Sequence, residues 1–128
     1  MQQYKEIFIK INLEKSDESL KVAEYSVENQ LLTTAFNRIY YSIFYVVMAL
    51  AEKNDFKTSK HASLMGWFNK KFIFEQKIFD KSIYEIYEHA FLSRQKGDYD
   101  TTYTTNIEQA KELLTDAKKF IETVRKII

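Results

Sequence analysis

An all-α fold follows from three features of this chain. Proline is absent and glycine occurs only as Gly66 and Gly97. A sheet protein needs many tight turns built from such residues, whereas long helices need neither. Apolar residues recur at three- and four-residue steps along almost the whole length, the period of an amphipathic helix. The content is 45% hydrophobic and 16% aromatic over 128 residues, which closes a core without staples. The expected architecture is an antiparallel up-and-down bundle of four long helices and one short helix, in a single domain spanning 1–128.

The first helix is expected from about Tyr4 to Glu28, with Ile9, Leu13, Leu20, Ala23 and Val27 on one face and Lys and Glu on most of the other. Asn29-Gln30 makes a short turn. The second helix runs from about Leu31 to Lys53. Leu32, Ala35, Phe36, Ile39, Ile43, Val46, Val47 and Leu50 form its stripe, and Tyr41, Phe44, Tyr45 and Met48 make much of the remainder apolar. Such a helix is covered on several sides, either as the centre of the bundle or as the face of a dimer. Asn54 to Lys57 breaks the pattern.

Thr58 or Ser59 can cap a shorter third helix reaching about Phe74. Leu64, Trp67, Phe68, Lys71 and Phe72 share one side of it. Asp80 can cap a fourth helix from Lys81 to Lys96, with Ile83, Ile86, Tyr87, Ala90 and Phe91 inward; Gly97 then suits its C-terminal end. Thr105 and Glu108 form a capping box for the last helix, which carries Ile107, Ala110, Leu114, Ala117, Phe120, Ile121 and Val124.

Charge and composition exclude several functions. The net charge is +1, and the two halves are each nearly neutral, so no broad electrostatic face for duplex nucleic acid is expected. The absence of cysteine removes disulfides, thiolate metal ligands and a thiol nucleophile. His61 and His89 are not spaced as metal ligands, and no glycine-rich phosphate loop exists; neither metal nor cofactor is expected. The N-terminus is polar and lacks a signal-peptide core. The longest uncharged run, Ile39 to Ala51, is 13 residues, too short to span a bilayer. A cytoplasmic protein with no membrane association is expected.

Two arginines depart from the pattern. Arg94 is eleven residues from Ile83, a phase difference of only about 20° at 100° per residue, so a permanent cation points along an apolar stripe. It must be paired or face a cleft. Asp98 and Asp100 lie just beyond as partners for a lock; the other reading is an arginine facing phosphate or RNA. Arg38 repeats the anomaly on the most apolar helix, one turn before Tyr41 and Ser42. It either snorkels to the surface or shares the cleft with Arg94. Glu85 and His89 read as a surface pair. The lysines around the third helix, with Phe56, Trp67 and Phe68 interleaved, read as core residues beside a solvated face more readily than as a strand-binding surface.

Three stretches resemble the HEPN domain family (higher eukaryote and prokaryote nucleotide-binding). They are Asn37-Arg38-Ile39-Tyr40-Tyr41-Ser42-Ile43-Phe44, Thr58-Ser59-Lys60-His61-Ala62, and Arg94-Gln95-Lys96-Gly97-Asp98-Tyr99-Asp100. Their order and spacing cover the chain from about Lys15 to Phe120. The resemblance implies a helical bundle, a two-fold homodimer and a small nucleotidyltransferase as partner. Many members are metal-independent ribonucleases whose motif is an Arg followed, after four to six residues, by a His. Arg94 matches the Arg, but the window after it holds Tyr99, Asp100 and Thr101. The chain is closer to the Asp-Tyr branch associated with minimal nucleotidyltransferases.

The function expected is therefore binding of RNA or a nucleotide at a cleft formed by Arg38, Arg94 and Tyr99, with Tyr41, His61 and Asp98 contributing, in a toxin–antitoxin-like setting. Two alternatives stand beside it. One is a ribonuclease toxin with Arg94 catalytic and His61 as the candidate base; the other is a non-catalytic dimeric interaction module.

Overall fold

The computed structural model describes residues 2–99 and 107–128, with side chains for 3–95 and 107–128. Five helices follow one another: α1 (Gln2–Glu28), α2 (Leu32–Lys53), α3 (His61–Phe68), α4 (Lys81–Tyr99) and α5 (Ile107–Arg125). No strand occurs among the described residues.

Cross-helix contacts fix the directions. Lys5 pairs with Asp55 at 2.9 Å, Lys15 lies over the Tyr45 ring, the Ser16 hydroxyl donates to the Ser42 carbonyl at 2.7 Å, and Arg38 donates to the Ser19 hydroxyl at 3.3 Å. Partners advance along α1 as they retreat along α2, so the two are antiparallel. Asp17 with Arg125 at 2.9 Å and Glu24 with Lys118 at 3.6 Å set α5 antiparallel to α1 in the same way. The α1–α2 turn is sharp because Gln30 takes φ 59°, a left-handed conformation within reach of a polar residue.

The second helix is the centre of the bundle, packed against α1, α3, α4 and α5. Its buried residues include Ala35, Phe36, Ile39, Tyr40, Ile43, Val46, Val47 and Leu50. The apolar excess that allowed a dimer face is thus largely consumed within the chain. The core continues through an aromatic group in which Phe68 and Tyr87 each lie against Phe120, at centroid distances of 5.5 and 5.6 Å.

Several elements differ from the sequence reading. On α1 the deepest residues are small or polar: Asn12, Ser16, Ser19, Ala23 and Ser26. Leu13 and Leu20 only flank this seam, since small side chains let the α1 and α2 backbones approach closely. Neither Thr58 nor Ser59 caps α3; the residue before it is Lys60, with no side-chain cap, while the Thr58 hydroxyl accepts from the Lys60 N–H at 3.2 Å. The third helix is α-helical only to Phe68 and continues as a π-helical stretch, Asn69–Glu75. Asp80 does cap α4, accepting from the Ser82 N–H at 3.3 Å. Gly97 does not end that helix, which runs on to Tyr99; glycine weakens a helix interior without forbidding it. Thr105 lies outside the described residues.

Candidate functional site

The half-buried face of α2 presents Arg38, Tyr41, Phe44, Tyr45 and Met48, positions out of phase with its core stripe. The chain from 54 to 60 folds back across the end of α2. Asp55 takes φ 59°, and Phe56 stacks on Trp67 at 4.9 Å and 8°. This return delivers His61, the first residue of α3, onto the same face of α2. There its ring stacks on Phe44 (4.6 Å, 19°) and meets Tyr41 edge-on (5.9 Å, 88°). From the other side, α4 rests Phe91 on Tyr40 at 5.7 Å and, one turn later, brings Arg94 into the group.

Arg94 stands over two rings at once, its guanidinium carbon 5.5 Å from the Tyr40 centroid and 5.4 Å from that of Tyr41. Arg38 lies 5.0 Å from the same Tyr41 centroid. The two cations are thus held within about 10 Å of each other, with one phenol ring serving both. Stacking on aromatic faces suits guanidinium, whose planar, weakly hydrated charge is attracted by the ring quadrupole. Arg38 is further fixed by Asn37, whose side-chain oxygen accepts from Nε at 3.0 Å and from a terminal nitrogen at 2.8 Å.

His61 is oriented by Tyr40: the phenol oxygen and Nδ1 lie 2.5 Å apart. Burial pushes the Tyr40 phenol far above its ordinary value, more than the Arg94 charge lowers it, so the group stays protonated. Burial, and secondly the Arg94 charge, hold His61 below the usual imidazole range. A neutral imidazole is the result at neutral pH. With Tyr40 as donor, Nε2 keeps the ring hydrogen and presents it; with Nδ1 as donor, Nε2 presents a lone pair. The arrangement can therefore grip an anion between two guanidinium groups, stack a planar ring on its half-buried aromatic side chains, and hold or accept a proton at His61.

Of the residues expected at the site, the structure brings Arg38, Tyr41, His61 and Arg94 together. The side chains of Asp98 and Tyr99 lie outside the described residues, and so does any Arg94–Asp98 lock. His89 is exposed on α4 and lines a separate surface hollow with Glu85 and Asp116. Of the aromatic residues near the basic third-helix region, Phe68 is fully buried, while Phe56 and Trp67 are partly buried against the core. Tyr40 was not singled out, because its phase on α2 matches the core stripe. Its hydroxyl was the available signal, since a buried phenol usually finds a polar partner. Among the described residues no group of three or more His, Asp or Glu stands where it could hold a metal ion, and no helix is long and apolar enough to cross a membrane.

Comparison with known proteins gives a consistent result. The family model described as HEPN domain matches residues 9–127. A UPF0332 protein of Thermotoga maritima is 32% identical over 124 residues, covering 97% of this chain and 93% of that one. Two proteins of Methanocaldococcus jannaschii, each named "Putative toxin", are 32% and 31% identical over 116 and 117 residues, covering 91% of this chain in both cases and 78% and 85% of theirs. With the all-α bundle and a family match over nearly the full length, the chain belongs to the HEPN domain family.

Proposed function

We propose that this protein acts as a HEPN toxin-type protein that binds RNA or a nucleotide, with the phosphate between Arg38 and Arg94. The observation that carries the reading is the pair of guanidinium groups held against the single ring of Tyr41. The ring attracts both cations, and a phosphate oxygen between them would accept charge-assisted hydrogen bonds from both. The family resemblance supports a homodimer working in the cytoplasm with a small nucleotidyltransferase partner.

Binding of a fluorescent single-stranded RNA by the purified protein tests this. Affinity should fall as salt rises, because phosphate contacts release counterions. It should fall about tenfold or more in Arg94→Ala, and measurably in Arg94→Lys, which loses the planar fork. Binding that ignores both substitutions would overturn the assignment.

One observation favours a second reading, metal-independent RNA cleavage: His61 stands in the same cluster as Arg94. In the tautomer with Nδ1 donating to Tyr40, Nε2 is a free base able to take the proton of a ribose 2′-hydroxyl. The new O2′–P bond would form as the P–O5′ bond breaks, the leaving oxygen taking a proton from water, and Arg94 would stabilise the negative charge on the non-bridging phosphoryl oxygens. Cleavage of mixed cellular RNA in EDTA, lost in both Arg94→Ala and His61→Gln, would select this reading; intact RNA would leave binding alone.

A further inference from the structure

The outward face of α2 continues past Tyr41. Its next turn presents Tyr45, whose ring centroid is 5.5 Å from the Lys15 ammonium. The turn after that presents Met48, which is one wall of a cavity of about 450 Å³. Phe8 of α1 and Phe56 supply further apolar walls, Ser59 stands at the rim, and Glu52 and Lys57 supply the polar groups. The Glu52 carboxylate is buried and accepts from the Lys57 ammonium at 2.6 and 2.8 Å. The same ammonium is 5.9 Å from the Phe8 ring.

This chemistry differs from that of the arginine pair. The cavity's two charges neutralise each other, so it offers no net cation to a phosphate. It does offer apolar walls with a fixed acceptor and a fixed donor on one edge. A heterocyclic base matches that set: its faces pack on Phe8, Met48 and Phe56, while its edge meets the carboxylate and the ammonium. Along α2, Tyr41 is separated from Met48 and Glu52 by about 10 and 16 Å at 1.5 Å per residue. A nucleotide with its phosphate at Arg38 and Arg94 does not carry its own base as far as the Glu52 end of the cavity. A neighbouring nucleotide on the same strand does, and Lys15 stands beside the path for the phosphate between them.

We infer that the cavity of Phe8, Met48, Glu52, Phe56 and Lys57 is a base-binding subsite, and that the ligand of the α2 face is a short single strand of RNA rather than a mononucleotide. The inference rests on reading the arginine pair as a phosphate site.

Calorimetry with adenosine 5′-monophosphate and with a 2′-O-methyl adenosine trinucleotide, which cannot be cleaved, tests it. The trinucleotide should bind about tenfold tighter or more, the gain that one stacked base supplies. Ser59→Tyr, which narrows the cavity mouth from an exposed position, should abolish the gain while leaving mononucleotide affinity unchanged. Phe8→Leu, which keeps apolar volume but removes the ring, should reduce it several-fold. Equal affinity for both ligands would overturn the subsite and leave the arginine site standing. A length-dependent gain that survives both substitutions would place the second base elsewhere and overturn this assignment. Failure of both ligands to bind would overturn the reading of the arginine pair itself.

Discussion

Tyr40 and His61, contributed by different helices, are joined by a hydrogen bond of 2.5 Å, and Arg94 lies against the ring of that same tyrosine. The phenol fixes the imidazole, while burial and, secondly, the guanidinium disfavour its protonation. His61 is therefore a neutral group beside a permanent cation, and its titration is tied to the fold.

That tie has a sign. The folded state holds His61 below its ordinary value of about 6.5, so between the lowered value and 6.5 the unfolded chain binds more protons than the folded one. His61 should lower stability as pH falls through that window and leave it unchanged above. Thermal midpoints measured from pH 7.5 to 5 should decline, with a shallower decline in His61→Gln. In NMR titration, Arg94→Ala should shift the His61 midpoint upward; an unmoved midpoint would mean that the Arg94 charge is not felt at the ring.

The Glu52–Lys57 pair is asymmetric: the Glu52 side chain is 7% exposed and that of Lys57 68%. Removing the exposed member strands a buried carboxylate, so Lys57→Met should cost about 1–3 kcal/mol. In Glu52→Gln the ammonium is released to water and the amide keeps hydrogen-bonding capacity, so the cost should be smaller. Urea midpoints of the two variants give the order, and the reverse order would contradict the burial.

Gly66 sits inside α3, and a Cβ there would meet no atom within 4 Å. Gly66→Ala should stabilise by about 0.5–1 kcal/mol, because alanine loses less backbone entropy on entering a helix. A raised thermal midpoint with unchanged RNA affinity is the expected pair of results.

For the homodimer, sedimentation at micromolar protein should give about twice 15.3 kDa. The surface involved must be other than the core stripe of α2, which is already covered. A monomer mass would remove the dimer from the proposed function.

The central helix was legible because its stripe is large, apolar and regular. Arg94 was legible as a cation in phase with an apolar stripe, which demands a partner, and Arg38 as a cation on the most apolar helix. What escaped had no signature in hydrophobicity. The α1 seam is made of Ser16, Ser19, Ala23 and Ser26, where close approach rather than apolar area decides the packing. The π-helical stretch depends on a shift in backbone hydrogen bonding that no residue of Asn69–Glu75 announces. Gly97 had the residue type of a helix end, but α4 runs past it. The Tyr40–His61 contact spans a reversal of the chain, so its two halves read separately as a core aromatic and a lone histidine.

The arginine cluster draws on α2, the start of α3 and the end of α4, so no contiguous stretch of chain contains it. During synthesis Arg38, Tyr41 and His61 emerge well before Arg94, and until α4 has docked there is one guanidinium at Tyr41 instead of two. A nascent or prematurely terminated chain carries the site only in pieces.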